Sequence, residues 1–391
     1  MKKLFPILCA FAACCSATII IFLSSCSSRE VVIPENIISV NLNFADKFGD
    51  ESLFIDSDTA ILYRLPQEPI IGDIIKIRES NETLYILDNS HKCIFRFVTK
   101  TNSLNGFCQY GPGPGEYSFI TDYFVYDDKI YILDNYSNKI NIYQNDQCIR
   151  TIPVNEDVWA NEIFVLDDYL FLINHSSNPS LGKYHLFRIS PSGEIKKFLP
   201  FDEVPGLVSN CSYAIGNNFA YYVEPSDNII YKVTSDRVEP LYYVDFGEYN
   251  LPKEYYSSNM YELMNNGIDK EYATGIDKIK YGDDLFFLYF EIKGKKYQLV
   301  FNTLTNSTIV FCEMFKPMDD ILYGLSPISF DICGNALYDW KTTDYFDPIF
   351  EFIGLPKANG QYKTQLEELR DEMNPEDNPF IFKYYLKNNA K

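Results

Sequence analysis

The sequence predicts an all-β chain: a six-bladed β-propeller with a helical insertion between blades four and five, and a C-terminal helix followed by a closing strand. A hairpin signature recurs six times, with its first turn residue at 81, 127, 167, 217, 283 and 334. The spacings, 46, 40, 50, 66 and 51 residues, match or exceed the roughly 40–50 residue period of blades built from several strands. Tyr (31) and Phe (30) are abundant, and aromatic side chains suit pleated, half-buried surfaces.

The first two copies carry the signature most clearly. Asn81-Glu82-Thr83 precedes Leu84-Tyr85-Ile86-Leu87-Asp88-Asn89, and Asp127-Asp128-Lys129 precedes Ile130-Tyr131-Ile132-Leu133-Asp134-Asn135. Both continue into a second apolar strand, at 94–98 and 140–143. Weaker copies follow at Asp167-Asp168, Asn217-Asn218, Asp283-Asp284 and Gly334-Asn335. Asp, Asn and Gly fit there because two-residue hairpin turns need backbone conformations that these residues tolerate. The paired aspartates are therefore turn residues before they are candidate catalytic groups. In the second copy the strands fall at about 121–126, 130–134, 139–144 and 147–152.

The long spacing before residue 283 has a local cause. Residues 252–266 read as a helix with Tyr256, Met260, Leu263 and Met264 on one face, Pro252 near its start and Gly267 just past its end. Near the C-terminus, Tyr362, Leu366, Leu369 and Met373 form an amphipathic stripe that Asn374-Pro375 terminates. Residues 380–386 then read as a final strand. The stretch 37–65 is expected to pair beside it, which closes the ring and removes exposed edges.

The chain opens with Lys2 and Lys3, followed by an apolar run from Leu4 to Leu23, the layout of a secretory signal. Twenty such residues also suffice for a retained membrane helix. Against that alternative, Leu23-Ser24-Ser25-Cys26 resembles a bacterial lipobox, and only Arg29 supplies flanking positive charge. The expected organisation is a signal peptide at 1–25, a tether at 26–36 starting with a lipid on Cys26, and the propeller at 37–391. A diacylated or triacylated cysteine holds stably to a membrane, whereas one acyl chain does not. The expected location is the cell envelope, anchored to the outer membrane, with its face left open.

The formal charge is −20, or −22 once Lys2 and Lys3 leave with the signal. That balance argues against nucleic acid, which demands a positive footprint. Beyond the anchor lie Cys93, Cys108, Cys148, Cys211, Cys312 and Cys333, none spaced as C-x-x-C. Zinc-ribbon and redox-pair readings therefore fail. Export permits disulfides, but wide spacing in a large domain reads more simply as buried, mostly free thiols.

Gly111-Pro112-Gly113-Pro114-Gly115-Glu116-Tyr117 lies between the first two copies. With the repeated Tyr-Ile-Leu-Asp strand ends and Asn138-Lys139-Ile140, it resembles the bacterial six-bladed β-propeller lipoproteins related to NHL-repeat proteins, over about 37–387. The resemblance implies a propeller with an extracytoplasmic role. That family is largely without assigned activity, so no catalytic residues carry over. The glycine-rich segment is no nucleotide loop, since Pro112 and Pro114 lack the amide donors of a phosphate cradle and no Lys-Ser or Lys-Thr follows. A rigid inter-blade turn accounts for it better.

No H-E-x-x-H, G-x-S-x-G or complete EF-hand loop is present, and the three histidines, His91, His175 and His185, fall in predicted turns or outer strands. No residue set rises to a catalytic assignment. The first residues of the six innermost strands give one constellation at the channel mouth: Asp73, Asp122, Glu162, Tyr213, Asp277 and Ser329. Four are carboxylates, a pattern able to hold Ca²⁺, although acidic residues are common at strand starts in so acidic a chain. The leading functional expectation is a binding or scaffold module for a glycan, peptide or envelope protein, with Tyr117, Tyr136 and Tyr255 as loop residues able to stack on sugars. The alternative is a Ca²⁺-dependent propeller hydrolase, lactonase or lyase with its site in the central channel. No cofactor is required by the first reading.

Overall fold

Two strands near the N-terminus are parcelled out to blades formed much later in the chain. The computed structural model describes residues 33–42, 54–154, 158–175, 183–200, 212–224, 227–255, 260–312, 330–343 and 360–387; the predicted signal, Cys26 and the first part of the tether lie outside them. Strand β1 (Asn36–Ser39) runs parallel to the outer strand of blade four, while β2 (Ile55–Arg64) becomes the outer strand of blade six. The expectation that 37–65 pairs as a whole with the last strand therefore holds for β2 and is corrected for β1.

The remaining strands form six sheets in chain order. Blade one holds β3 (Ile74–Ser80), β4 (Thr83–Asp88), β5 (Cys93–Val98) and β6 (Ser103–Phe107). Blade two holds β7 (Asp122–Tyr126), β8 (Lys129–Asp134), β9 (Lys139–Gln144) and β10 (Gln147–Pro153), within a residue of the sequence reading. Blade three holds β11 (Glu162–Leu166), β12 (Tyr169–Ile173), β13 (Tyr184–Ile189) and β14 (Ile195–Pro200). Blade four holds β15 (Tyr213–Ile215), β16 (Ala220–Val223), β17 (Ile229–Val233) and β18 (Val238–Asp245), with β1 outside. Blade five holds β19 (Lys278–Gly282), β20 (Leu285–Ile292), β21 (Lys295–Asn302) and β22 (Ser307–Cys312). Blade six holds β23 (Phe330–Cys333), β24 (Ala336–Lys341) and β25 (Phe380–Leu386), completed by β2. The first strand of each blade is innermost, and these strands abut their neighbours around the axis.

The turn chemistry is as the sequence requires. Both central residues of Asn81-Glu82, Asp127-Asp128, Asp167-Asp168 and Asp283-Asp284 have positive φ, between 45° and 65°, the backbone of type I′ hairpins. Buried apolar side chains of adjacent sheets interlock between blades. Phe164 and Phe171 of blade three, for example, share a cluster with Tyr213 and Tyr222 of blade four.

Asp88 and Asp134, the last residues of the two Tyr-Ile-Leu-Asp strands, are fully buried. Asp88 accepts backbone N–H groups from Gly72, Asp73 and Ser90 at 2.7–3.1 Å. Asp134 accepts from Ser118 and Ser137 at 2.8 and 3.1 Å. Each carboxylate fastens the connection entering its blade to the loop leaving its second strand. Burial opposes the charge of Asp88, but these donors and His91 hold its carboxyl below the usual range.

The glycine-rich segment is a strap between blades one and two. Tyr117 is buried and donates to Lys92 O at 2.9 Å, Glu116 Oε2 accepts from Gly113 N at 2.7 Å, and Tyr143 donates to Gly115 O at 2.7 Å. Gly115 has φ +75°, and a Cβ there would stand 2.7 Å from that of Cys148, so only glycine fits. Beneath the strap, Cys93 and Cys108 form a disulfide. The mostly free-thiol reading is corrected for this pair: the strap returns Cys108 beside the start of β5, a proximity that sequence spacing hides. Cys148 and Cys333 are free, and Cys211 lies outside the described residues.

The insertion between blades four and five contains a 3₁₀ turn (Lys253–Tyr255), helix α1 (Met260–Asn265) and a second 3₁₀ turn (Ile268–Lys270). Leu263 is buried there whereas Met264 is exposed, so the predicted apolar face divides. Helix α2 (Gly360–Glu372) interrupts blade six and rests on β2, with Leu369 buried and Met373 packed against the same core. Arg64 of β2 pairs with Glu372 and Asp377 at 2.9 and 3.0 Å, and Asn378 clamps Pro66, Pro69 and Ile71. The N-terminal strand is thus locked onto the C-terminal one, the closure that a propeller needs.

Candidate binding site at the channel mouth

Register determines which side chains face the axis. Asp122 pairs with Leu133, Glu162 with Ile173, and Lys278 with Tyr289. After a bulge between Ile74 and Lys76, Lys76 pairs with Leu87. In blade four, Ser212 stands just ahead of the Tyr213–Tyr222 pair and accepts from Val223 N at 2.9 Å. The structurally equivalent positions are therefore Lys76, Asp122, Glu162, Ser212 and Lys278, each five residues before its blade's turn. Two residues deeper lie Arg78, Phe124, Phe164, Ala214, Lys280 and Asp331.

The predicted constellation is thus partly assembled. Asp122, Glu162 and Tyr213 line one cavity of about 420 Å³ at the mouth. Asp73 lies before the bulge, exposed, with Lys76 in its place. Asp277 precedes Lys278 and does not line the cavity; burial and the neighbouring Glu291 push its carboxyl up to about 6. Ser329 lies outside the described residues. Cations that the sequence reading missed, Lys76, Arg78, Lys278 and Lys280, line the same cavity.

Each carboxylate in it is engaged. Lys76 Nζ lies 2.6 Å from Asp122 Oδ1, and Asp122 Oδ2 accepts from Ile163 N at 2.9 Å. Burial raises the Asp122 pKa, with Glu162 adding to the rise and Lys76 opposing it. Asp331 Oδ2 accepts from Ile77 N at 2.7 Å, and its Oδ1 lies 3.6 Å from Lys280 Nζ. Glu162 Oε2 meets His175 Nε2 at 2.9 Å and Ser212 Oγ at 2.8 Å. Burial alone would raise Glu162, but His175, Lys76 and Ser212 reverse that effect and hold it down at about 2. Among the described residues, no group of three or more His, Cys, Asp or Glu is placed to hold a metal ion. The acidic ring expected for Ca²⁺ is broken by lysines at two of its positions.

His175 is not peripheral, as the sequence suggested, but buried at the cavity wall, and its Nδ1 has no partner. It does not form a relay, because Glu162 and Ser212 both approach the same ring nitrogen, Nε2 (Ser212 at 3.4 Å). Deeper in the channel, Arg78 Nη2 donates to Tyr213 Oη at 2.7 Å, and Tyr213 donates to Ile163 O at 3.0 Å. The guanidinium lies between the rings of Phe124 and Tyr213, 5.3 and 5.5 Å from their centroids. Burial works against this charge, while Tyr213, Cys333, Asp331 and Asp122 hold its pKa above the ordinary guanidinium value. Among the described residues no carboxylate comes within ion-pair distance of Arg78, and its Nε is buried without a partner.

Of the tyrosines proposed to stack on sugars, Tyr117 is buried and committed to the strap, which removes it. Tyr136 is 79% exposed, and its ring meets that of Phe119, a residue of the cavity wall, at 5.1 Å. Tyr255 is half-buried in the insertion.

Fold and site together define a six-bladed β-propeller whose central channel holds a cation–aromatic cluster beneath a charged mouth. The chain belongs to the DUF4934 family, a domain of unknown function, whose model matches residues 67–385. A Bacteroides fragilis protein expected to be exported has a similar structure, with TM-score 0.70 and 16% identity over 90% of this chain and 100% of that one; this likeness establishes the fold. A catalytically inactive virginiamycin B lyase variant of Staphylococcus aureus, solved with quinupristin, gives TM-score 0.42 at 14% identity over 72% of this chain and 81% of its own. A Bacteroides thetaiotaomicron protein of unknown function gives 0.45 at 11% identity, over 85% and 73% respectively. No curated protein matches the chain.

Proposed function

We propose that this chain is an exported propeller, tethered to the cell envelope through a lipid on Cys26, that acts as a binding module and takes a negatively charged group of its ligand into the channel mouth. Export is supported by the lipobox-like Leu23-Ser24-Ser25-Cys26 and by the Cys93–Cys108 disulfide, a bond that persists in oxidising compartments. The observation that carries the ligand reading is Arg78. Its guanidinium lines the cavity and hydrogen-bonds a phenol through Nη2, with no carboxylate in ion-pair contact among the described residues, in a chain of formal charge −20. Asp331 and Asp122 favour this charge from a distance without a direct ion pair, and an entering anion supplies the direct charge-assisted contact. The walls of the same cavity hold Lys76 and Lys278.

The ligand classes consistent with this chemistry are glycans, peptides and envelope partners that present an acidic group at an end or a protrusion. The test is a thermal-unfolding screen of the full chain against paired acidic and neutral oligosaccharides and peptides. A ligand at 100 times its dissociation constant adds about 2.7 kcal/mol to stability, read as an upward shift in midpoint. Acidic members alone should produce it, and Arg78→Met should abolish it. A shift produced equally by neutral members, or retained in Arg78→Met, would overturn the proposal.

A further inference from the structure

We infer that the anion enters on a pyranose ring, so that the ligand is an acidic saccharide; this rests on the channel-mouth reading above and adds the chemistry of its carrier. The independent observation is the aromatic pair at the lip. Tyr136 is 79% exposed, yet it is held in place. Its ring meets the Phe119 ring edge-on at 5.1 Å and 64°. The loops bearing the two rings are pinned by one buried carboxylate, since Asp134 accepts from Ser118 N, next to Phe119, and from Ser137 N, next to Tyr136. Ser118 Oγ and Ser137 Oγ add a third tie at 2.8 Å. Asn135, between Asp134 and Tyr136, also bonds Ala160 O of the next blade connection.

A fixed, solvent-facing aromatic surface costs little further ordering on binding and offers an apolar face with a polar edge. Pyranose rings carry a complementary apolar face of axial C–H groups, while their hydroxyls remain in water. Phe119 lines the same cavity as Arg78 and Lys76. A sugar seated on Tyr136 and Phe119 therefore borders the cavity that holds these cations, into which a carboxylate on the ring can extend. Acidic peptides would use the cations and leave the aromatic pair idle. Neutral sugars would use the pair and leave Arg78 without a direct anionic partner. A uronic acid residue uses both, and a cavity of about 420 Å³ falls in the size range of small-ligand sites.

The experiment is calorimetric titration of the full chain with three probes: trigalacturonate, its fully methyl-esterified form, and triglutamate. Trigalacturonate should bind, the ester and the peptide at least tenfold more weakly. Tyr136→Ala, a change at an exposed side chain, should weaken trigalacturonate binding at least tenfold and leave the unfolding midpoint unchanged. If triglutamate binds as tightly and Tyr136→Ala has no effect, the saccharide inference falls while the anion reading stands. If the ester binds as tightly as the acid, the anion reading falls. Absence of binding by all three overturns the saccharide inference, and the wider acidic panel above then decides the anion reading separately.

Discussion

Arg78 of blade one and Tyr213 of blade four meet across the propeller axis, the guanidinium Nη2 donating to the phenol oxygen at 2.7 Å. Because Tyr213 also donates to Ile163 O of blade three, one hydroxyl links three blades below the mouth. Removing it with Tyr213→Phe leaves a half-buried guanidinium without its acceptor. The expected loss is about 1–3 kcal/mol, measured by denaturant unfolding with an unchanged m-value. Loss of less than about 0.5 kcal/mol would show that the Arg78–Tyr213–Ile163 link is not a structural tie.

The buried aspartates at the strand ends predict a larger effect. Asp134→Ala strands the Ser118 and Ser137 amides, and Asp88→Ala strands those of Gly72, Asp73 and Ser90. Each should cost at least about 2 kcal/mol, since hydrogen bonds to charged groups contribute about 1.5–3 kcal/mol each and are not additive. Asp127→Asn, which keeps a residue type that tolerates the turn's positive φ and removes only an exposed pair with Lys129, serves as a control and should stay within about 0.5 kcal/mol.

Glu162 predicts a pH dependence. Its folded pKa of about 2 lies below the ordinary glutamate value of 4.5, so the unfolded chain binds the proton more readily. Its contribution to stability is complete above about pH 5 and is lost as pH falls towards 2. The full contribution is about 3 kcal/mol. Unfolding free energy measured from pH 6 to pH 2.5 should fall less steeply in Glu162→Gln than in the native chain. Parallel profiles would contradict the His175–Glu162–Ser212 arrangement.

The disulfide joins residues 15 apart, and closing a loop of that length is worth about 3 kcal/mol in the chain-entropy account. Cys93→Ser with Cys108→Ser should lower stability by up to that amount. Mass spectrometry of the native chain, alkylated without reduction, should show these two thiols protected and Cys148 labelled. Labelling of Cys93 would contradict the pairing.

Much of the fold was legible because the hairpin turns repeat. Asp127-Asp128 fixes the backbone locally, and everything within one blade follows by counting. The site was half legible for the same reason. Counting five residues back from every turn gives Lys76, Asp122, Glu162, Ser212, Lys278 and Ser329, whereas choosing the nearest acidic or polar residue substitutes Asp73, Tyr213 and Asp277. The bulge at Ile74–Lys76 conceals the shift in blade one. The strand-end aspartate shows a similar drift: its equivalents are Asn174 and Glu224 in blades three and four, then Phe290 and Lys341, so the later copies look weaker. Long-range choices were not legible. Nothing local tells β1 to join blade four, Cys93 to meet Cys108, or His175 to turn inward, because each depends on a partner that only the closed ring supplies.

The most direct test of the central claim is the crystal structure of the full chain with trigalacturonate bound. The account predicts a carboxylate in the channel mouth, within hydrogen-bonding distance of the Arg78 guanidinium, with a sugar ring on Tyr136 and Phe119. A ligand bound on the outer rim, with Arg78 still meeting only Tyr213, would contradict it.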